Sequence, residues 1–424
     1  MNINYGKNVK FYDMAKKPLR QAIWTIFVII IASVLTLAFY KRKLHKVNMK
    51  GLKPPYLMLC SHMQFLDFMV AAAATFPHRM SNVISIDGYN IWPWLLEKIG
   101  SIPKRKFTNG ATIVRQIGHV LKNNKNIVCM YPEARYSNIG VESELPDSIA
   151  KLIKLYKVPV VTMIFKGHYL NRPTWGIKKK RKVPIEAVEK CILTAEQVKE
   201  MSVAEIDGVL TKEFCYDEYR YQKDNNIQIT EPFRAEGLHK VLYKCPSCGE
   251  EFLMKSSGAV LSCASCGVEW ELKTNGELNC LSGETRFCRP PDWYEWQREE
   301  VRKEIDGGTY GFSDTMEAFS MPHPKRFIPL GKVTFKHGLD GFNIEGNYNG
   351  KDFSLVKVPA ENYSVHVEYA FPYLKGKDIV SLSTNSDTLF MIPTDPITLQ
   401  KLSLAAEELY KAHTEAVRLS KLAG

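Results

Sequence analysis

The chain has 424 residues, 45% of them hydrophobic, and a formal net charge of +12. That length predicts two or three domains, and the apolar share excludes a disordered or low-complexity chain. The positive charge is not spread evenly. Residues 1–50 carry ten Lys or Arg (Lys7, Lys10, Lys16, Lys17, Arg20, Lys41, Arg42, Lys43, Lys46, Lys50) against one acid, Asp13. Between these basic groups lie nineteen uncharged residues, Ala22 to Tyr40, just enough to cross a hydrocarbon core of ~30 Å. The run is too long for the apolar part of a signal peptide, and no small-x-small cleavage site precedes Lys41-Arg42-Lys43. Residues 1–44 are therefore expected to form a basic N-terminus holding a membrane segment at about 22–40. Basic flanks on both sides leave its orientation open. A spanning helix and a helix pair dipped into one leaflet both satisfy the pattern, and a buried helix of a soluble protein is the competing reading.

Two apolar runs follow, and each leads into polar residues. Tyr56-Leu57-Met58-Leu59-Cys60 reads as a buried strand that delivers Ser61-His62 and, five residues after the histidine, Asp67. Asn126-Ile127-Val128-Cys129-Met130 does the same for Tyr131-Pro132-Glu133-Ala134-Arg135-Tyr136-Ser137. Open α/β sheets build their sites at the carboxyl ends of such strands. The pair His-x4-Asp is weak alone, because a core histidine and a surface aspartate at that spacing arise by chance. Five-residue spacing does not bring two side chains together on one regular helix. His62 is thus expected in the turn after the strand, with Asp67 a turn into the following helix.

With these residues in view, the chain resembles the glycerolipid acyltransferases of the lysophosphatidic acid acyltransferase type. Four blocks carry the resemblance, in order: Ser61-His62 to Asp67, Gly100-Ser101-Ile102-Pro103-Lys104-Arg105-Lys106, Tyr131 to Ser137, and Val158-Pro159-Val160-Val161. The resemblance covers residues from about 45 to 235, roughly half the chain. The third block departs from the family's Pro-Glu-Gly-Thr-Arg-Ser, since Arg135 stands one residue early and Tyr136 occupies the arginine position. The second has Lys104-Arg105-Lys106 where one arginine usually stands. The resemblance implies a membrane-associated O-acyltransferase of phospholipid synthesis. Its acyl donor would be acyl-CoA or acyl carrier protein, and its acceptor a lysophospholipid or glycerol-phosphate hydroxyl. His62 would be the general base and Asp67 its orienter; Glu133, Arg135, Arg105 and Lys106 would contact the acceptor. The residue types suit the chemistry: histidine removes a hydroxyl proton near neutral pH, and a carboxylate on its other nitrogen fixes the tautomer.

Further along, Lys178-Lys179-Lys180-Arg181-Lys182 reads either as a solvated loop or as a contact for anionic lipid headgroups. Thr194-Ala195-Glu196-Gln197 and Ser202-Val203-Ala204-Glu205 predict two helix starts. Phe214, Tyr216, Tyr219 and Tyr221 then read as a helix packing back on the core. Cys245-Pro246-Ser247-Cys248 and Cys263-Ala264-Ser265-Cys266, fourteen residues apart, have the spacing of a closed, structural four-thiolate zinc site. Gly249 and Gly258 mark turns of a short hairpin between them. Thiolate ligands also argue for a reducing compartment. Cys60 and Cys129, in the apolar runs, are expected in the core.

Beyond Pro290-Pro291 the pattern turns to period two, at 332–336, 341–345 and 353–357, with Asn349-Gly350 as a hairpin turn. More strands are expected at 364–369, 378–383 and 388–392. A helix capped by Asp395 and opened by Pro396 should run to about Leu419, with Leu399, Leu402, Ala406, Leu409, His413 and Ala416 facing the core. Strands closed by one C-terminal helix resemble a pleckstrin-homology or GRAM-like barrel. The expected order is a membrane helix, an α/β acyltransferase core with a mixed sheet at 45–235, a zinc ribbon at 241–280, a linker at 281–315, and a β-barrel-like domain with C-terminal helix at 316–424. The catalytic part is expected at a membrane, facing the cytoplasm, with anionic lipid as a partner and no nucleic acid. A catalytically silent membrane adaptor, binding a partner through ribbon and β domain, is the alternative.

Overall fold

The computed structural model describes residues 3–5, 9–90, 92–108, 110–176 and 179–423. Seven strands form the first sheet: β1 (Lys43–Val47), β2 (Leu57–Cys60), β3 (Met80–Ser85), β4 (Ile102–Lys104), β5 (Ile127–Met130), β6 (Val160–Lys166) and β7 (Glu186–Leu193). Their order is β1-β7-β6-β2-β5-β3-β4. β6, β2, β5, β3 and β4 are parallel, while β7 runs antiparallel to β6 and carries β1 parallel to itself. Every residue of β2 and β5 is buried, which is why both read as unbroken apolar runs rather than alternating ones. Leu57 pairs with Val128 and Leu59 with Met130. The two expected strands are therefore neighbours, and their carboxyl ends open on one place.

The helix Ile26–Tyr40 packs on the helix Leu66–Thr75 that follows β2. Its outer face leaves Phe27, Ile31, Val34, Leu37 and Phe39 exposed. Together with the short turn before it, Ile23–Tyr40 is long and apolar enough to cross a membrane. Lys180 lies at its C-terminal end, donating to the Phe39 carbonyl at 2.9 Å with its ammonium over the Tyr40 ring. Arg181 of the same basic cluster is buried instead. Lys178 and Lys7 lie outside the described residues.

Both predicted capping boxes are present, at Thr194 and Ser202. The first cysteine knuckle precedes a second, antiparallel sheet and the other lies at its β9–β10 turn: β8 (Met254–Ser257), β9 (Val260–Cys263), β10 (Glu269–Leu272) and β11 (Leu278–Cys280). Where a linker was expected at 281–315, a seventeen-residue helix, Pro290–Asp306, stands instead. The two prolines open it rather than break it, because the first helical positions have no intrahelical use for an N–H. Trp293 is fully buried against Trp270 of the ribbon and donates to the Lys244 carbonyl.

The third sheet has seven antiparallel strands: β12 (Gly311–His323), β13 (Arg326–Gly338), β14 (Gly341–Tyr348), β15 (Lys351–Lys357), β16 (His366–Phe371), β17 (Lys377–Ser383) and β18 (Thr388–Ile392), ordered β15-β14-β13-β12-β18-β17-β16. The β14–β15 turn is Asn349-Gly350, both at positive φ, as a two-residue hairpin requires. The expected barrel is not closed. β15 and β16 are the two edges, and no ladder joins them. The thirteen-residue β12 went unpredicted and lies at the centre of the sheet. Asp395 caps the turn before the last helix, Leu399–Ala423, by accepting from the Ile397 N–H. Leu399, Leu402, Ala406 and Leu409 are buried as predicted, but His413 and Ala416 are exposed. The helix outruns the surface it packs on, so the apolar stripe stops having a partner there.

Candidate active site

β2 ends at Cys60 and the next helix begins at Leu66, so His62 sits in the loop and Asp67 on the first helical turn. That placement lets Asp67 fold back on its own loop. One oxygen, Oδ2, accepts from the Met63 N–H at 2.6 Å, the Gln64 N–H at 2.9 Å and His62 Nδ1 at 3.1 Å. The other, Oδ1, accepts from Nδ1 of His168 at 2.7 Å. Asp67 and His168 are both fully buried. Burial alone would push the Asp67 carboxyl up, but the two histidine hydrogen bonds and neighbouring charges outweigh it and hold the group below its ordinary value. An ionised carboxylate only accepts, so both imidazoles present Nδ1–H to it. His62 therefore keeps its Nε2 lone pair for chemistry.

The His62 ring is held between Tyr131 and Tyr136, with centroids at 4.2 and 4.3 Å. Burial among these rings pushes its pKa down, against the lift from Asp67. The imidazole thus stays neutral, and able to accept a proton, at pH 7. Its backbone is fixed as tightly as its ring. The His62 N–H donates to Glu133 Oε2 at 3.0 Å, and its carbonyl accepts from the Ser137 N–H at 2.8 Å. Glu133 Oε1 accepts from the Ser143 N–H and the Tyr216 hydroxyl. Burial raises the Glu133 carboxyl to about 7 in spite of these three donors. The loops after β2 and β5 are thereby laced together, with His168 reached from the end of β6.

The family model described as Acyltransferase matches residues 39–166, which contain the His62–Asp67 pair, Arg105 and the Glu133 loop. Residues 39–166 are an acyltransferase-family domain. Among solved structures, the chain is similar to the 1-acyl-sn-glycerophosphate (LPA) acyltransferase PlsC from Thermotoga maritima. That likeness has 13% identity and a TM-score of 0.35, covering 45% of this chain and 78% of that one. No curated protein matches the chain.

Within the acyltransferase domain, the residues expected around the acceptor go to different places. Arg105 is buried and donates to the Met321 and Pro322 carbonyls and to Thr388 Oγ1, all on the third sheet. Arg135 is buried on the last helix, donating to Ser403 Oγ and paired with Glu407. Glu133 holds the His62 backbone rather than projecting outward. Lys106 alone of the four keeps a partly open head group near His62, its ammonium 2.7 Å from His366 Nε2 and 3.7 Å from Asp87. His168 escaped the sequence reading, although Gly167-His168 directly follows β6. The same rule that picked out His62, a polar residue at the carboxyl end of an apolar strand, could have found it.

The four knuckle cysteines lie with their Sγ atoms all within 4.8 Å of one another. Cys245–Cys266 and Cys248–Cys263 are at 3.7 and 3.8 Å, close to the ~3.8 Å edge of a tetrahedron with ~2.3 Å metal–sulfur bonds. The donor set fits zinc. Cys60 and Cys129 are buried core residues.

Proposed function

We propose that this protein transfers a fatty acyl group from acyl-CoA or acyl carrier protein to a hydroxyl of a lysophospholipid or glycerol phosphate in phospholipid synthesis. The observation that carries this reading is the fully hydrogen-bonded Asp67, which fixes His62 as an Nδ1–H tautomer with Nε2 free to act. His62 Nε2 takes the acceptor's hydroxyl proton as the oxygen attacks the thioester carbonyl. Asp67 stabilises the imidazolium that forms, and the same proton then goes to the departing thiol. No residue of the chain needs to be acylated. Glu133 sets the height of the loop that carries the base, and Lys106 is the cation nearest the acceptor's head group.

The protein acts at a membrane surface, with Ile23–Tyr40 as its anchor and Lys180 among anionic headgroups. The catalytic domain faces the cytoplasm, in keeping with four reduced thiolates at Cys245, Cys248, Cys263 and Cys266, which hold one structural zinc. Zinc there supplies folding energy and leaves no open coordination position for substrate.

The test is His62→Ala in the full-length protein, assayed with acyl-CoA and a lysophospholipid. Loss of about 10²–10⁴ in rate with unchanged folding is expected. Turnover within threefold of the parent protein would remove His62 as the base (roughly the noise of a rate comparison, well under the smallest loss expected from a positioned base), and a parent protein without turnover would favour the adaptor reading. Because burial holds the His62 pKa down, the acid limb of kcat/KM should fall below pH 6.5, the histidine's unperturbed value.

A further inference from the structure

His62 is held at two points: its backbone N–H by Glu133, and its ring by Asp67, which is shared with His168. Each of these supports leads to one short segment, Tyr216 to Glu218, beyond the family match at residues 39–166. The buried Tyr216 hydroxyl donates to Glu133 Oε1 at 2.8 Å, leaving Oε2 for the His62 N–H. Glu218 serves His168. That histidine opens a four-residue helix, His168–Asn171, whose N-cap is Gly167. The first N–H groups of a helix have no partner inside it, and glycine has no side chain to offer them. Glu218 supplies the acceptor from outside: Oε1 takes the Gly167 N–H at 2.9 Å and Oε2 the Leu170 N–H at 3.4 Å, on either side of His168. His168 then reaches the catalytic loop twice. Its Nδ1 meets Asp67 Oδ1 at 2.7 Å, and its carbonyl accepts from Gln64 Nε2 at 2.9 Å.

The segment itself is fixed. Asp217 caps the helix Glu218–Asp224 by accepting from the Arg220 N–H at 2.8 Å, and its backbone bridges Val141. The Glu218 N–H donates to the Gly140 carbonyl at 2.8 Å. Gly140 donates in turn to Ser137 Oγ at 3.0 Å, and the Ser137 N–H to the His62 carbonyl at 2.8 Å. The approach is close enough that a Cβ on Gly140 would lie 2.6 Å from the Tyr169 ring and 3.2 Å from Glu218 Cβ. Glu218 is 2% exposed, and among the described residues no ion pair includes it. Burial raises its carboxyl to about 8 against its backbone donors. A buried carboxyl without a counter-charge costs stability; what this one holds is the turn that carries His168.

We propose that Tyr216 and Glu218 are positioning residues of the acyl-transfer reaction, Tyr216 acting through Glu133 on the His62 backbone and Glu218 acting through His168 on Asp67. This rests on the acyl-transfer reading above. Neither residue touches the reacting atoms. The catalytic unit thus extends past residue 166, and one segment sets its base from two sides.

The experiment measures transfer from acyl-CoA to a lysophospholipid in detergent micelles by the full-length protein, by Tyr216→Phe and Glu218→Gln, and by each combined with His168→Gln. Each single variant should lower kcat by roughly tenfold with KM little changed, as a displaced catalytic group does, and with circular dichroism unchanged. Glu218→Gln should add less than about threefold to the loss in His168→Gln, because it acts through that residue, whereas Tyr216→Phe should multiply with it. Raised to about 8, Glu218 is largely uncharged across the acid limb of kcat/KM, so glutamine changes no charge there. The limb should nevertheless move upward, in the direction expected on losing His168. A Glu218→Gln loss of equal size in both backgrounds, or an unmoved limb, is what a smaller folded fraction would give and overturns the proposal. Should Glu218→Gln not fold, Tyr216→Phe decides alone, since it removes one hydroxyl: kcat within about threefold of the parent overturns the proposal. Transfer that depends on His62 but is indifferent to both substitutions overturns this proposal alone. A parent protein without transfer overturns the acyl-transfer reading, and this one with it.

Discussion

The His62 site and the arginine clamps are both built from the family's blocks, yet they are assembled over very different distances along the chain. His62 and Asp67 are five residues apart, and Asp67 binds the N–H groups of the two residues just after His62. A turn followed by one helical residue suffices to make that contact. Arg105 meets partners 216, 217 and 283 positions away, and Arg135 a hydroxyl 268 positions away. The first arrangement depends on local backbone and on neighbouring parallel strands. The second depends on a separate sheet docking in one orientation. An arginine in a recognised block is thus available to bind a ligand only where the rest of the chain leaves its guanidinium uncovered.

Perturbing the two regions separately should sharpen this contrast. The largest effect is expected at the ribbon, where Cys248→Ser should abolish the proposed zinc site and with it a contribution of about 10–16 kcal/mol, the scale of zinc binding in small zinc modules. Metal analysis and limited proteolysis should show a metal-free chain cleaved within 241–280. Glu251 of the ribbon pairs with Lys401, so the last helix should loosen with it. Retained protease resistance without zinc would show that the ribbon does not depend on metal.

Next comes Asp67→Asn, which exchanges an acceptor of four hydrogen bonds for an amide and inverts the His62 tautomer. A loss of about 10⁴ in kcat is expected by analogy with a catalytic triad aspartate, with circular dichroism unchanged. On the clamp side, Glu407→Ala leaves Arg135 and Arg298 buried together without their shared carboxylate. Destabilisation of about 3–5 kcal/mol in chemical denaturation should follow. If Glu407→Ala costs activity but no stability, Arg135 belongs to the catalytic machinery rather than the interface.

The smallest effect is expected from His168→Gln, a positioning change. A drop in kcat of roughly tenfold to a hundredfold, typical of groups that orient a catalytic side chain, should come with little change in KM. The acid limb should move upward, because Asp67 would act on one imidazole instead of two. An unmoved pH profile would reduce His168 to core packing.

Much of this molecule was legible beforehand, and the parts share a physical cause. The runs 57–60 and 127–130 are strands buried on both faces, and such strands declare themselves by composition alone. Both capping boxes, the Asn349-Gly350 turn and the cysteine knuckles are local patterns of a few residues, and each appears where it was expected. The helix Pro290–Asp306 was missed because its charged, aromatic-rich sequence has a weak apolar stripe and its opening prolines read as a break. β12 was missed because much of its N-terminal half is exposed and carries no apolar run. The barrel was overread, since hairpin spacing tells which strands are sequential neighbours and is silent on whether the two edges meet.

By itself the sequence determined the pairing of His62 with Asp67, the four thiolates and the elements around them, because those depend on chain geometry within one turn or one hairpin. Only the tertiary structure decided that Glu133 serves the His62 backbone, that His168 shares Asp67, and that Arg105 and Arg135 are closed off while Lys106 is left beside His366 and Glu368. Those outcomes follow from which buried polar group finds its partner when the third sheet docks. Partners hundreds of residues apart leave no mark on spacing, since the only requirement is that each buried donor meets an acceptor somewhere.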